Sequence, residues 1–369
     1  MQKERYALLD TDELITPALV CFEEILLENT RKTIAIAGNA QRLWPHVKTH
    51  KCADIVKQML AMGIERFKCA TIAEADMLAQ CGARHILLAY PIIGPNAQRW
   101  AKLVAAYPAA RFYAIADSAE GVDILSALAE EVGASFSLLL DLNMGMNRTG
   151  AAMTRAEELY RYACAKPKLI LCGLHCYDGH HNTGDIVQRQ QQVNASVADI
   201  DRLCAALKAD GLPCDIRIMG GTPSFPCHAK KAEGYLSPGT CFLWDAGYDK
   251  NVPDLPFVAA AVLKTRVVSH PGPGLFTLDL GCKGIASDPP NPRGCLVELP
   301  AAVPTLHSEE HWVWALAQGD PLPAIGAMLT VIPTHICPTS ALYPAFAVAR
   351  GNRIVEEWPV TARNRKIVF

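Results

Sequence analysis

Two hydrophobic patterns divide the chain. Between residues 15 and 247, short apolar and β-branched runs alternate with longer amphipathic stretches. This rhythm is typical of repeated strand–helix units around a parallel sheet. After Gly247 the runs become short and alternating, with turn residues such as Pro271–Gly274 between them. We therefore predict an α/β domain over residues 15–247 and a mostly antiparallel β domain over residues 248–369, and we leave open that residues 1–14 pack with the second.

The first domain has enough candidate strands to close a barrel. The predicted strands are Ala18–Phe22, Leu43–Thr49, Arg66–Ala70, His85–Tyr90, Arg111–Ala116, Ser135–Leu142, Leu169–Tyr177 and Asp215–Met219. Eight strand–helix units in roughly 230 residues favour a TIM-type (β/α)8 barrel over an open sheet. Several residues that could take part in chemistry or ligand binding fall at predicted strand ends, among them Lys48, Asp141, Tyr177 and the Gly220–Gly221 pair. Because barrel chemistry is located where strands end, we expect these residues at one rim.

Composition narrows the class of ligand. The chain has 369 residues, of which 50% are hydrophobic, and a net charge of -2. No basic run exceeds two residues, so nothing favours nucleic acid or an anionic membrane as partner. No segment reaches the ~18 apolar residues of a membrane span, and the 14 cysteines form no C-x-x-C pair. We expect a cytoplasmic protein that acts on a small molecule.

Lys48 is the first candidate for chemistry. It follows Leu43, Trp44 and Val47, residues that favour an enclosed position. Loss of hydration makes an ammonium give up its proton more easily, and the neutral amine is the nucleophile that forms a Schiff base with an aldehyde. That is the chemistry of pyridoxal 5′-phosphate (PLP). The alternative is a solvated basic loop that contains Lys48 and Lys51.

Other motifs suit an anionic ring-shaped ligand. Gly220-Gly221-Thr222 follows the eighth predicted strand, where barrels commonly build a phosphate site from backbone N–H groups, and Gly239-Thr240 would lie beside it as further donors. Arg148, in a glycine-flanked loop, could turn inward and hold a phenolic oxygen, although a surface position is the alternative.

Three histidines are candidates for acid–base chemistry. Tyr177 would cover or bond a bound ring, and His180 and His181 follow it closely. In the second domain, His311 lies in a turn-rich segment.

The second domain also contains a possible metal site. His335 and Cys337 are two positions apart, so in a strand they would point the same way. Imidazole and thiolate together suit Zn²⁺. Two ligands are fewer than a structural zinc site needs, so the pair indicates either a solvent-open catalytic ion or a coincidence of spacing.

These motifs together resemble those of the D-threonine aldolase and D-serine dehydratase group, which are PLP enzymes of the alanine-racemase fold type. The resemblance rests on six segments that span nearly the whole chain in the expected order: 45–51, 144–150, 173–177, 220–222, 237–240 and 335–338. It implies an N-terminal α/β barrel, a C-terminal β domain and commonly a homodimer with active sites near domain and subunit interfaces.

The resemblance also implies roles for individual residues. Lys48 would be the Schiff-base lysine, Arg148 would lie by the phenolic oxygen and Tyr177 against the ring. Gly220, Gly221 and Thr222 would bind the phosphate, and His335 and Cys337 would hold a divalent metal, with Zn²⁺ favoured and Mn²⁺ or Mg²⁺ as alternatives.

The expected reaction is cleavage of a β-hydroxy-D-amino acid. Aldolases of the group tend to carry Asp at the second metal position and dehydratases Cys, so Cys337 slightly favours β-elimination over retro-aldol cleavage. The segment after Tyr177 departs from both better-known patterns, which leaves the substrate open. An amino acid racemase and a non-catalytic PLP-binding protein remain the alternatives.

Overall fold

The computed structural model describes residues 2–9 and 11–365. These residues form two compact units. The barrel unit contains residues 33–48, 55–239 and 364–365, and the β unit contains residues 2–9, 11–32, 49–54 and 240–363.

The strands in chain order are β1 (Ala18–Phe22), β2 (Arg66–Cys69), β3 (His85–Leu88), β4 (Arg111–Ala116), β5 (Phe136–Asp141), β6 (Leu169–Cys176), β7 (Ile216–Met219), β8 (Tyr235–Leu236), β9 (Ala261–Gly272), β10 (Leu275–Leu278), β11 (Gly294–Leu296), β12 (Val303–His307), β13 (Trp312–Ala315), β14 (Met328–Pro333), β15 (Ala345–Arg350) and β16 (Arg353–Pro359). The α-helices are α1 (Gln2–Arg5), α2 (Glu23–Ala37), α3 (Ala53–Ala61), α4 (Ile72–Gln80), α5 (Pro95–Ala106), α6 (Ala119–Glu131), α7 (Met153–Cys164), α8 (Ile186–Ala209), α9 (Phe225–Ala229), α10 (Ala246–Asn251) and α11 (Ile336–Leu342).

The barrel unit is built on a parallel sheet in which β2 to β8 follow one another in sequence order. The segment before β2 joins the two edges of this sheet through single parallel bridges, Leu43 to Leu236 and His46 to Lys68. The sheet is thereby closed. The predicted strand Leu43–Thr49 is wrong as a continuous strand, since Val47–Thr49 forms a 3-10 helix. Pro45 explains part of the difference, because it has no N–H to extend a ladder.

The barrel interior is filled by large apolar side chains. Trp44 is fully buried, and its ring makes edge contacts with Tyr113 and Tyr235, each at 5.3 Å between centroids. Its indole nitrogen donates to the carbonyl of Phe67 at 2.7 Å. A buried tryptophan with its N–H satisfied anchors the segment that leads to Lys48.

The β unit contains the remaining strands. β1 pairs antiparallel with β9 and parallel with β15, so the prediction that Ala18–Phe22 belongs to the barrel is wrong. All five β1 residues are buried, and an apolar run of this kind suits the centre of either sheet. The strand order of this sheet is β12-β13-β10-β9-β1-β15-β16, and β14 pairs with both β9 and β11. All pairings other than that of β1 with β15 are antiparallel.

The predicted fold class, a barrel with a mostly antiparallel β domain, is confirmed. The strand Tyr235–Leu236 was not predicted, because two residues are too short for a recognisable pattern. Among the described helices, none combines the length and apolar character that crossing a bilayer requires.

Candidate active site

A cavity of about 600 Å³ lies at the carboxyl ends of barrel strands. Its lining includes Ala70 and Ala89, which directly follow β2 and β3, and Tyr177, which directly follows β6. The polar and ring-bearing residues of the lining are His46, Lys48, Lys68, Tyr90, Arg148, Thr149, His175 and Tyr177. The carboxyl ends of the barrel strands, where we expected the candidate site residues, therefore surround a pocket with several basic side chains.

Lys48 lines this cavity and is half-buried. The neighbours Trp44 and Val47 are fully buried, so the backbone on both sides of His46 is held by the barrel interior. The lysine sits in the Val47–Thr49 3-10 helix, and its backbone N–H donates to His46 Nδ1 at 3.4 Å. Its side chain is thus directed by a short, well-anchored turn.

Lys68 is a second amine of the cavity, which sequence reasoning missed. It lies on β2, exposes 1% of its surface and lines the pocket. Its Nζ is 2.6 Å from Ser237 Oγ and 3.4 Å from His175 Nε2. Burial, and next the charge of Lys48, lower the pKa of Lys68 to about 7. The available signal was a lysine between Phe67 and Cys69 in a short apolar strand.

His175 connects Lys68 to a buried carboxylate. Its Nδ1 is 2.6 Å from Asp141 Oδ1, and both side chains are buried. Burial lowers the pKa of His175 more than Asp141 raises it, so the ring is neutral at pH 7. A neutral ring beside a carboxylate carries its proton on Nδ1, which leaves Nε2 as an acceptor.

Two basic side chains lie near the ring of Tyr177. Lys68 Nζ is 5.1 Å from the centroid of its ring and Arg148 Cζ is 5.2 Å from it. These distances suit cation–π contact. Arg148 itself is exposed but lines the cavity, so the inward orientation expected from the sequence and the surface alternative each describe part of its environment.

The Gly220-Gly221-Thr222 turn is buried beside Tyr177. A Cβ at Gly221 would lie 3.0 Å from Tyr177 Cε2, so any larger residue would require the tyrosine ring to shift by a few tenths of an ångström. Gly239 N–H donates to Thr222 Oγ1 at 3.1 Å, which places the two glycine segments side by side as predicted. Thr240, which belongs to the β unit, has its Oγ1 3.4 Å from Cys337 Sγ.

A buried polar network fixes this turn. Asp178 Oδ1 accepts a hydrogen bond from Ser224 Oγ at 2.6 Å, and Asp178 Oδ2 is 2.6 Å from His228 Nε2. Ser224 Oγ in turn accepts the N–H of Gly221 at 3.0 Å. Sequence reasoning missed His228 because it lies eight positions beyond Gly220 on the short helix α9, where no motif marks it.

The three candidate histidines lie in different places. The rings of His180 and His181 are in contact, tilted by 42° with 4.1 Å between their centroids, and neither residue is among the described residues that line the cavity. His181 Nε2 is 3.0 Å from Ser196 Oγ, and burial lowers its pKa. His311 is exposed in the β unit, where its carbonyl accepts the N–H of Ser308. Their catalytic roles stay predictions.

His335 and Cys337 lie in the β unit at the start of helix α11, not in a strand as the spacing argument assumed. His335 Nδ1 is 2.6 Å from Asp288 Oδ2, and Cys337 Sγ is 3.2 Å from Thr49 Oγ1. Burial lowers the pKa of His335, but contact with Cys337 and Asp288 outweighs it and raises that pKa to about 9.

This pair can supply two ligands to a metal. A carboxylate on Nδ1 leaves Nε2 for a cation, which is the usual arrangement of a metal-binding histidine. In the described part of the chain, no group of three or more His, Cys, Asp and Glu side chains is arranged to hold an ion. The donor chemistry fits a zinc-like ion that takes its other ligands from water or substrate.

The barrel cavity also fits PLP. Lys48, Lys68 and Arg148 give it three basic side chains, which suit a ligand with a phosphate and a phenolic oxygen. Its volume lies within the ~300–1,000 Å³ range of ordinary cofactor pockets. The glycine turn at residues 220–222 packs against Tyr177, which lines the cavity, although the turn itself is not among the described lining residues. These are the features that an anionic aldehyde cofactor requires.

Fold and cavity together define an α/β-barrel protein with a cationic small-molecule pocket. The family profile described as "Alanine racemase, N-terminal domain" matches residues 24–244, and that described as "Putative serine dehydratase domain" matches residues 260–349. The chain belongs to the alanine racemase N-terminal domain family.

Full-length relatives include both aldolases and dehydratases. The chain is 28% identical to a D-threonine aldolase of Arthrobacter sp over 94% of its own length and 92% of the relative. It is 24% identical to a D-threo-3-hydroxyaspartate dehydratase of Delftia sp. (strain HT23), covering 94% and 97%. The crystal structure of D-threonine aldolase from Filomicrobium marinum superimposes with a TM-score of 0.87 at 26% identity, with 95% of each chain covered. The resemblance to this group is confirmed.

Proposed function

We propose that the protein is a PLP-dependent lyase that cleaves β-hydroxy-D-amino acids. The observation that carries this proposal is an amine, Lys48, which lines a cavity that two further basic side chains, Lys68 and Arg148, also line. The supporting observation is that the full-length relatives are lyases by name. PLP, when bound, supplies an electron sink for the pair left on Cα when a bond to that carbon breaks.

The residues of the barrel unit divide the remaining work. Lys48 would hold the cofactor through its aldehyde. Arg148 would supply a permanent positive charge for the phenolic oxygen, and Tyr177, which has Arg148 beside its own ring, would lie against the cofactor ring. The Gly220–Thr222 turn, with Gly239 beside it, would hold the phosphate.

We further propose that His335 and Cys337 bind a divalent cation, with Zn²⁺ favoured over Mn²⁺ and Mg²⁺. Such an ion supplies Lewis-acid polarisation of a substrate hydroxyl. Metal content measured by plasma emission should fall at least tenfold in His335→Ala and in Cys337→Ala, because each change removes one of two protein ligands. Unchanged content in both variants would move the metal to other residues.

Products decide between the two cleavages. With D-threonine, β-elimination releases 2-oxobutyrate and ammonia, whereas retro-aldol cleavage releases glycine and acetaldehyde. We favour β-elimination, because Cys337 matches the dehydratase pattern and residues 260–349 match the serine dehydratase profile. The assay uses D-serine and D-threonine separately, with PLP and Zn²⁺ or Mn²⁺ present, and no turnover of either would refute the proposed lyase.

Covalent attachment tests the cofactor site directly. Borohydride reduction of the PLP-loaded protein followed by peptide mass spectrometry should place the pyridoxyl group on Lys48. Lys48→Ala should abolish attachment and lower the cleavage rate by about 10³-fold or more, because the nucleophile is lost. Lys57→Ala is the matched control, since Lys57 is exposed on helix α3 and should retain attachment.

A racemase is the second candidate, because the family profile bears that name. Chiral chromatography of D-serine and D-alanine reactions separates the candidates: a racemase forms the L-enantiomer and keeps its activity with a chelator.

The predicted homodimer is tested by light scattering of the loaded protein.

A further inference from the structure

Lys68 differs from Lys48, the other lysine that lines the cavity, because its side chain is buried and makes two defined polar contacts. Its side chain is fully enclosed by the barrel unit and reaches the pocket wall beside the ring of Tyr177. The titratable and charged groups that act on it are Lys48, Arg148, Asp141, Asp178 and His175. The two carboxylates are already engaged, Asp141 with His175 and Asp178 with His228.

The direction of each hydrogen bond of Lys68 can be assigned. Ser237 Oγ donates its proton to the carbonyl of Gly220 at 2.9 Å, so it accepts from Lys68. His175 carries its proton on Nδ1 toward Asp141, so its Nε2 also accepts from Lys68. Both contacts therefore use an N–H of the amine.

A neutral amine has two N–H groups and one lone pair. Ser237 and His175 take the two N–H groups, so the lone pair occupies the remaining direction of Nζ. A proton added there becomes a third N–H, and it is the one that a ligand in the cavity can accept. The two fixed contacts thus prepare a single donor position.

Electrostatics explains why Nζ of Lys68 carries the third proton only when an anion is bound. Burial and the neighbouring Lys48 lower the pKa of Lys68 to about 7, so at pH 8 most molecules hold the neutral amine. An anion in the cavity would offset both the lost hydration and the repulsion. The pKa of Lys68 should then rise, and the amine should take a proton from solvent.

We propose that Lys68 is an anion-binding residue of this cavity, the third beside Lys48 and Arg148, and that it gains one proton when a phosphate or carboxylate ligand binds. The inference rests on the proposed function in that the anion is a group of the cofactor or of the amino acid. The balance is one proton from water to Nζ, with no bond of the ligand broken.

The experiment is isothermal titration calorimetry with 4-deoxypyridoxine 5′-phosphate, which lacks the aldehyde and cannot condense with a lysine. Titrations at pH 8 in two buffers of different ionisation enthalpy give the number of protons taken up per ligand. In the unaltered protein we expect Lys68 to take up most of one proton, since a group of pKa about 7 is largely neutral at that pH and charged in the complex. Malonate serves as a second probe, and the probe that elicits the uptake identifies phosphate or carboxylate as the anion.

Two variants isolate the residue. Lys68→Met should lose the proton uptake that is due to Lys68, and it should bind 4-deoxypyridoxine 5′-phosphate at least tenfold more weakly. Lys68→Arg should bind without that uptake, because arginine stays charged. Protonation of the probe itself is common to all three proteins and cancels in the differences.

Equal proton uptake in the unaltered protein and in either variant would overturn the proposal. Should neither variant fold, the ammonium resonance of ¹⁵N-lysine-labelled protein must show a lysine that titrates near pH 7 alone and above pH 8 with the probe, and no such shift would also overturn it. Attachment of PLP to Lys48 is measured separately. If attachment succeeds while the uptake is absent, only this inference fails.

Discussion

Asp178 shows how a single buried carboxylate supports the proposed phosphate turn. Burial raises its pKa, but hydrogen bonds with His228 and Ser224 outweigh burial, and the pKa ends below its ordinary value. The ionised form is thus the one that the barrel unit stabilises. Through Ser224, the same carboxylate fixes the N–H of Gly221.

Asp178→Asn should lower the free energy of unfolding by about 2–3 kcal/mol at pH 7, because a buried charge-assisted network loses its acceptor. A group whose folded pKa is depressed stabilises above its unfolded pKa of ~3.9 and stops doing so as the pH falls through the folded value. The difference between the two proteins should therefore be constant above about pH 5 and shrink only below about pH 4.

Urea denaturation from pH 7 to pH 3.5 measures this difference. Asp123→Asn is the control, because Asp123 also has a lowered pKa but lies exposed beside Lys166 and Tyr162. The control should be close to the unaltered protein throughout. A difference for Asp178→Asn that shrinks already between pH 7 and pH 5 would assign the effect to another group.

At the residue scale, the sequence predicted the candidate groups that lie in recognisable motifs. Lys48, Arg148 and Tyr177 all line one cavity. It could not identify Lys68 or the direction of its contacts, because His175 and Ser237 are 107 and 169 positions away along the chain.

At the scale of elements, the pairing of β6 with β7 depends on one glycine. Gly173 has φ +145°, and a Cβ there would lie 1.8 Å from the carbonyl oxygen of Ile216, its partner in the sheet. The two strands therefore approach more closely than any side chain allows. His175 and Cys176, two and three positions further on, depend on this register.

Gly173→Ala should cost more than about 3 kcal/mol of stability, because the clash is with backbone and cannot be relieved by a rotamer change. Gly211→Ala is the matched control, at φ +70° with open space around it, and should cost only about 1 kcal/mol. Thermal and urea unfolding measure both. Equal losses would show that the positive φ, and not the close approach, sets the cost.

The helices follow the local sequence pattern more closely than the strands do. Two of the amphipathic stretches between the predicted strands, Ala119–Glu131 and Ile186–Ala209, are helices in the structure. Helical periodicity is local, so a sequence reports it directly. Strand partnership is not local, and for this reason Ala18–Phe22 was recognised as a strand but assigned to the wrong sheet.

At the scale of the whole molecule, each unit holds a histidine that burial keeps neutral. Burial lowers the pKa of His50, in the β unit, to about 3, and it lowers the pKa of His175 in the barrel unit. Unfolding exposes both rings to water, where they bind protons below about pH 6.5. Stability should therefore fall as the medium is acidified.

For His50, whose folded pKa is about 3, the slope should approach about 1.4 kcal/mol per pH unit below pH 6.5, since the unfolded chain binds one more proton on that ring. His50→Asn should flatten the slope by that amount, and its amide oxygen can still accept the N–H of Cys52. His311→Asn, at an exposed position, should leave it unchanged. Urea midpoints at pH 7, 6 and 5 give the slopes, and an unaltered slope in His50→Asn would place the proton uptake elsewhere.

The sequence by itself determined the fold class and the helical segments, and it predicted Lys48, Arg148, Tyr177 and Gly220–Thr222 as candidate site residues. Hydrophobic periodicity, glycine turns and the lysine segment are local properties, and they can be read without knowing which strands are neighbours.

Only the tertiary structure decided which sheet receives β1, how residues 43–46 close the barrel and that Lys68 faces the cavity. It also decided the state of the buried groups. The pKa of Lys68 depends on burial and on the charge of Lys48 across the pocket. Those quantities arise from distances between residues far apart in the chain, and they exist only once the chain has folded.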